Sequence, residues 1–244
     1  MRGGVVCARV TRRYAPRLEQ HVKCYMCDKK GTSKEHVPPE CFFPKRNRTN
    51  LITVPSCPAH NLSKSKDDEY VRWIITSHFV SNSFGQNLAI TKGLRSLARS
   101  GGLISAVFQQ SQLLRLPDGS QTVAIKVDLN RWTMFFKHFS NAIYFHDFEQ
   151  PHTQEWNIVN FTLVVGKSLV NAQPDPYNPV RVKLLALPFA KKQTSNPEIF
   201  QYFFHRQSAH SYAYRFLFYG GFAVYALSIA TRVSLRNSRG SDAH

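Results

Sequence analysis

Two short motifs in the first quarter of the chain limit what it can fold into. Cys24 and Cys27 bracket two residues, and Cys57 and His60 do the same. Each spacing lets one tight turn aim two ligand atoms at a single point. Three thiolates and an imidazole suit a closed tetrahedral site with Zn–S bonds of about 2.3 Å. Cys24, Cys27, Cys57 and His60 are therefore the expected ligands of a structural Zn2+. Cys41 lies between the two knuckles and is a rival for the fourth position, which would release His60 for other work. Cys7 is incidental. Five cysteines are an odd number, and with no secretory signal they lead to the expectation of a cytoplasmic protein, where closely spaced cysteines more often bind metal than pair.

The chain around this staple is long enough to bury a core. Its 244 residues are 43% hydrophobic and 13% aromatic but only 19% charged, which sets it apart from disordered sequences and allows one to two domains. Lys and Arg number 32 against 15 Asp and Glu, a net charge of +17 that calls for a polyanionic partner, nucleic acid ahead of an acidic membrane. The charge is distributed. Residues 1–70 hold 14 basic and 7 acidic side chains (+7), and residues 71–244 hold 18 and 8 (+10). The uncharged run from Phe216 to Thr231 is shorter than the roughly 20 apolar residues of a spanning helix and contains Gly220-Gly221, so no membrane association is expected. The first twenty residues are Arg-rich, with Glu19 their only acid, and lack the apolar run of a secretory signal.

Patterning divides the chain into a basic arm (1–20), a loop-rich metal-stapled module (21–70) and a larger α+β domain (71–244). Asp67 and Asp68 open a helical pattern carried by Tyr70, Trp73, Ile74 and Phe79, the acids being favoured at a helix N-terminus by its dipole. A second helix carries Leu88, Leu94 and Leu97 and stops at Gly101-Gly102. Leu113 to Val127 reads as two strands about a Pro117-Asp118-Gly119 turn. Asn130 is positioned to cap a helix running to about His146, with Trp132, Phe135, Phe136, Phe139 and Ile143 on one face. Residues 156–190 read as β-like with Asp-Pro and Asn-Pro breaks. A hairpin follows, in which Tyr212, Tyr214, Phe216 and Phe218 alternate before Gly220-Gly221 and Phe222, Val224 and Ala226 after it. These aromatics read as the buried face of a sheet. His138, His146, His152, His205 and His210 have no ligand spacing and read as surface or core histidines.

Between the knuckles stand Ser33-Lys34-Glu35-His36-Val37-Pro38 and then Thr49-Asn50-Leu51-Ile52-Thr53-Val54-Pro55-Ser56, with Asn61 directly after the second knuckle. In this order Cys24, Cys27, Glu35, His36, Pro38, Asn50, Leu51, Cys57, His60 and Asn61 resemble the HNH, or ββα-metal, endonuclease family, in its zinc-bearing, Asn-terminated form. The resemblance covers about residues 22–70. It implies a β-hairpin followed by a helix, the catalytic pair on the hairpin and Asn61 near the helix start. It also implies that His36 is the general base that activates water. Glu35 and the side-chain oxygen of Asn61 would then ligate one Mg2+ or Mn2+, and Asn50 would hold the catalytic loop by hydrogen bonds. Three positions depart from the family. Glu35 stands where Asp or His is commoner and carries its carboxylate outward by about one bond length. His60 replaces a Cys, and Asn61 replaces a final His with a weaker neutral ligand.

The resemblance implies a metal-dependent endonuclease that hydrolyses phosphodiester bonds, most simply in double-stranded DNA. Lys45, Arg46 and Arg48 in the loop between the pair and the second knuckle, and Lys64 and Lys66 after Asn61, are candidate phosphate contacts. A zinc-dependent nucleic-acid-binding protein without cleavage and an RNA-cleaving effector of the same type are the alternatives. The larger domain has no recognisable base-reading motif. DNA binding, homodimerisation, or regulation by a partner protein in an anti-phage or mobile-element system are the roles open to it.

Overall fold

A computed structural model of the chain describes residues 22–61, 65–99, 111–115, 119, 121–161 and 178–228. The basic arm, Cys7, Lys64, the Gly101-Gly102 stop, Pro117 and Asp118 of the expected turn, and the Asp-Pro break lie outside these residues. The fold is mixed α+β, with antiparallel sheets throughout the described residues.

The N-terminal segment folds around its knuckles. Strands β1 (Lys23–Cys24) and β2 (Cys27–Lys30) form a hairpin so short that Cys24 pairs with Cys27, and the turn is the knuckle itself. Strand β3 (Ser33–His36) pairs antiparallel with β4 (Thr53–Ser56), setting Glu35 opposite Val54 and His36 opposite Thr53. Helix α1 (Pro58–Asn61) starts directly after Cys57, with proline in the first turn, where its missing N–H has no cost.

Helix α2 (Ser65–Ser77) begins two residues before Asp67, so Asp67 and Asp68 lie in its first turn as the charge pattern requires. Tyr70, Trp73 and Ile74 are buried. Phe79 is not part of this stripe: it lies past the helix end and is 80% exposed. Helix α3 (Ser83–Arg99) is capped by Asn82, whose Oδ1 accepts from the Gly85 N–H at 3.3 Å, and Leu88 packs inward. Strands β5 (Gln112–Arg115) and β6 (Gln121–Ala124) form the expected hairpin, and Gly119 between them has φ 84.

Helix α4 (Leu129–Phe148) is longer than its sequence pattern suggested and starts two residues earlier than a cap at Asn130 would allow. Asp128, not Asn130, is its cap: the Asp128 carboxylate accepts from the N–H groups of Asn130 and Arg131 at 3.0 and 3.2 Å. A charged acceptor at this position also meets the positive end of the helix dipole, which the Asn130 amide could not do as well. Trp132, Phe135, Phe136, Phe139 and Ile143 are buried as their spacing predicts.

Among the described residues of the β-like stretch 156–190, strand is found in β7 (Trp156–Val159) and at its end in β8 (Ala190–Lys191). Asn178–Leu185 is a helix, α5. Here Asn178-Pro179 starts a helix instead of breaking a strand, since proline fits the first helical turn. With β9 (Phe200–Ser208), β10 (Ser211–Phe218) and β11 (Phe222–Ser228) these strands make a five-stranded sheet of order β7-β11-β10-β9-β8. The β10–β11 turn is the predicted one. Gly221 is forced there, because a Cβ would collide with the carbonyl oxygen of Val80, and Gly220 has φ 75.

Tyr214, Phe216 and Phe218 are fully buried, and Phe216 and Phe218 face Phe136 and Phe139 of α4. Side chains from the knuckle segment enter the same core: Phe42 stacks on Phe135 at 6.0 Å and lies 5.6 Å from Phe218. Tyr219, in the hairpin turn, donates its hydroxyl to the Phe42 carbonyl at 2.7 Å. Helix α2 runs through residue 70, so a continuous helix joins the module to the rest. No helix among the described residues is long and apolar enough to cross a membrane.

Candidate metal centre and the adjoining pocket

Cys24, Cys27, Cys57 and His60 converge, with one ligand atom each and all four atoms within 4.8 Å of one another. The His60 Nδ1 lies 3.4, 3.6 and 3.3 Å from the sulfurs of Cys24, Cys27 and Cys57, and Cys27 Sγ lies 3.8 Å from Cys57 Sγ. A tetrahedron with Zn–S of about 2.3 Å and Zn–N of about 2.0–2.1 Å has edges of about 3.8 Å (S···S) and about 3.5 Å (S···N). The separations match, so the group could hold a zinc ion. Among the described residues it is the one such cluster of three or more His, Cys, Asp or Glu ligands.

Backbone hydrogen bonds brace the cluster. The N–H groups of His60 and Asn61 donate to the Cys57 carbonyl at 3.0 and 3.1 Å, and the Tyr25 N–H, inside the first knuckle, donates to the Pro55 carbonyl of β4 at 2.9 Å. Cys41 is not a member. Its thiol is pushed up to about 12, chiefly by burial, and its carbonyl accepts from Lys92 Nζ at 2.9 Å. His60 and not Cys41 completes the set.

Glu35 and His36 occupy the end of β3, beside this centre. The Tyr25 hydroxyl donates to Glu35 Oε1 at 3.2 Å, and burial, then the Glu35 charge, push the Tyr25 phenol far above its ordinary value. Asn61 Nδ2 donates to Ser33 Oγ at 2.8 Å, and Ser33 lies two residues before Glu35. A period of two puts Ser33 and Glu35 on the same face of β3, so Asn61 reaches the face that carries Glu35. His36 Nε2 lies 3.7 Å from Glu40 Oε1, and Arg48 pairs with Glu40 at 3.1 Å while its Nε donates to the Phe43 carbonyl. Arg48 is thus engaged inside its own loop. Lys45 and Arg46 are exposed on a 3-10 turn, Lys66 is exposed at the start of α2, and Lys64 lies outside the described residues. Asn50 is exposed in the approach to β4, with the left-handed φ of 55 that asparagine tolerates.

A cavity of about 290 Å³ opens beside Glu35 and His36. Val37 and Pro39 continue that wall, while Asp67 and Asp68 come from α2 and Arg131, Met134, Phe135 and His138 from α4. The α4 residues recur at helical spacing on one face. Arg131 is fixed in place: its guanidinium meets Asp67 Oδ1 at 2.6–2.7 Å, donates to the Lys66 carbonyl at 3.2 Å and lies 4.2 Å above the Tyr70 ring. The Tyr70 hydroxyl in turn accepts from the Asp128 N–H at 2.7 Å.

Sequence reasoning missed Tyr25, Glu40, Arg131 and His138 as neighbours of the pair. Tyr25 and Glu40 lie within the motif and could have been considered. Nothing local marks Arg131 or His138, which belong to a helix read only for its apolar face. Comparisons with protein-family models, with curated proteins and with solved structures found no match to this chain.

Proposed function

We propose that the chain is a metal-dependent endonuclease of the HNH type that hydrolyses DNA phosphodiesters. The observation that carries the reading is the meeting of Asn61 with β3. The Asn61 amide, on the short helix that ends the zinc cluster, hydrogen-bonds Ser33 two residues from Glu35, on the face of the strand that holds the carboxylate. With Nδ2 committed to Ser33, the Asn61 Oδ1 is the atom that would turn toward a cation. Glu35 and Asn61 offer oxygen donors, the kind a hard ion such as Mg2+ or Mn2+ prefers. Once bound, such an ion supplies Lewis-acid stabilisation of charge on the scissile phosphate and the departing 3′ oxygen.

The remaining steps belong to side chains. His36, next along the strand, accepts a proton from the attacking water through its neutral imidazole. Cys24, Cys27, Cys57 and His60 would fill all four positions of a structural zinc, which would fix α1 against the hairpin. The products are 5′-phosphate and 3′-hydroxyl ends. Lys45, Arg46 and Lys66 are exposed and in this reading contact phosphates along the polymer, and the net +17 supports a salt-sensitive grip.

The test incubates the full-length protein with plasmid, linear duplex, single-stranded DNA and structured RNA, in EDTA or in Mg2+ and Mn2+, beside His36→Ala. Metal-dependent DNA cutting that disappears in His36→Ala is the expected result. Cutting confined to RNA would reassign the polymer. Intact substrates with wild type and variant alike, while DNA is still retained, would replace the nuclease with a zinc-dependent nucleic-acid-binding protein.

A further inference from the structure

We infer that His138, on the α4 wall of the pocket, is the general acid that protonates the leaving oxygen in the proposed cleavage. The inference rests on the nuclease reading above and adds to it a residue about a hundred positions away from the His36 motif. In-line displacement at phosphorus needs the attacking and departing oxygens on opposite sides of the atom. The cavity beside His36 is lined by the end of β3, the first turn of α2 and the face of α4, and β3 and α4 contribute one imidazole each, His36 and the half-buried His138.

The other ionisable groups that line the cavity are unsuited to the task. Glu35 is reserved for the cation. Asp67 is tied to Arg131, and a guanidinium does not surrender a proton near neutral pH. Asp68, as a carboxylic acid, belongs to a class that is already ionised there. Imidazole is the side chain that can be both protonated and able to release its proton at such a pH.

The step balances. Water forms a bond to phosphorus through its oxygen and yields a proton to the His36 imidazole. The bond from phosphorus to the 3′ oxygen breaks, its electron pair stays on that oxygen, and the His138 imidazolium supplies the proton that makes a hydroxyl. Exchange with solvent then restores both rings. Phe135 and Phe139, buried beneath, and Met134 at the rim form an apolar floor that limits water around the transfer.

The test uses a leaving group that needs no proton. On the polymer that wild type cuts, the cut position is mapped, and an oligonucleotide is made with sulfur replacing the bridging 3′ oxygen of that bond. His138→Gln and His138→Asn, two amides that suit the half-buried space, are compared with wild type on the oxygen and sulfur substrates, with melting curves run alongside. We expect a loss of about 10²- to 10⁴-fold on the oxygen substrate, with activity on the sulfur substrate within a few-fold of wild type. His36→Ala, lacking the base, should be inactive on both. Equal losses on both substrates in both His138 variants would overturn the proton-donor role and leave His138 structural, and so would unchanged cleavage of the oxygen substrate. If wild type cuts nothing in the substrate panel, the nuclease reading falls and this inference with it. If wild type cuts and only the sulfur rescue fails, the nuclease reading stands alone.

Discussion

Replacing Asp147 by Leu tests what holds α4, and with it the pocket wall, on the sheet. The Asp147 side chain is 5% exposed and accepts from the hydroxyls of Tyr202 and Tyr214 at 3.0 Å each, with Lys192 Nζ 3.4 Å away. Burial first, and then the Asp147 charge, push both phenols far above their ordinary values, as expected of hydroxyls donating to a buried carboxylate. Leucine removes the acceptor at similar shape and leaves two buried hydroxyls unpaired, at about 1–3 kcal/mol each. Lys192 is 36% exposed and can turn to water. Relief of the carboxylate's own desolvation offsets part of the cost, so about 3 kcal/mol of destabilisation is expected. Against a total of about 5–15 kcal/mol that is easily measured. Urea unfolding with zinc in excess, followed by far-UV circular dichroism, reads it as a shift in midpoint at constant slope. Adding Tyr202→Phe and Tyr214→Phe to Asp147→Leu removes the stranded donors and should recover most of the loss. A loss below about 1 kcal/mol, or a triple variant no more stable than the single one, would refute the reasoning, since unpaired buried donors could not then be the cause.

Three further outcomes follow from the structure. The purified chain should carry one zinc by elemental analysis, and His60→Ala should weaken it, in competition with a chromophoric chelator, by more than the about 10- to 100-fold typical of an outer-shell change; an unchanged affinity would return Cys41 to candidacy. Lys45→Ala and Arg46→Ala should each lower the slope of log affinity for duplex DNA against log salt by about 1, and a slope equal to wild type would remove that residue from the interface. His152 stacks on Trp156 at 4.2 Å and its imidazole is held below the ordinary histidine range, first by burial. The unfolded chain therefore takes up the proton first as pH falls. The contribution of His152 is complete above the unfolded value of about 6.5 and declines as pH drops from there through the lower folded value. Melting temperature between pH 7.5 and 5 should fall less steeply in His152→Phe, and identical pH profiles would contradict this assignment.

The Cys3His cluster was legible in the sequence because ligand spacing is a local property. A knuckle is one turn, and two knuckles need only a hairpin between them to meet. The amphipathic stripe of α4 and the β10–β11 hairpin were legible for the same reason, since periodicity and Gly220-Gly221 are written within a few residues. Where local signals competed, the reading slipped. Asn130 and Asp128 are both good caps, and the choice between them was made by where the helix begins. Asn178-Pro179 can break a strand or open a helix, and only its surroundings decide. His60 was separated from Cys41 by tertiary structure, which buries the Cys41 thiol away from the other sulfurs. The same is true of the pocket. Its α4 wall, with Arg131 and His138, comes from a helix whose apolar face alone was readable, because the burial of Phe42 against Phe135 and Phe218 draws residues far apart in sequence together. Hydrophobic burial is non-directional and carries no spacing rule between distant segments. The sequence by itself determined which side chains could take a metal, and packing decided which others would stand beside them.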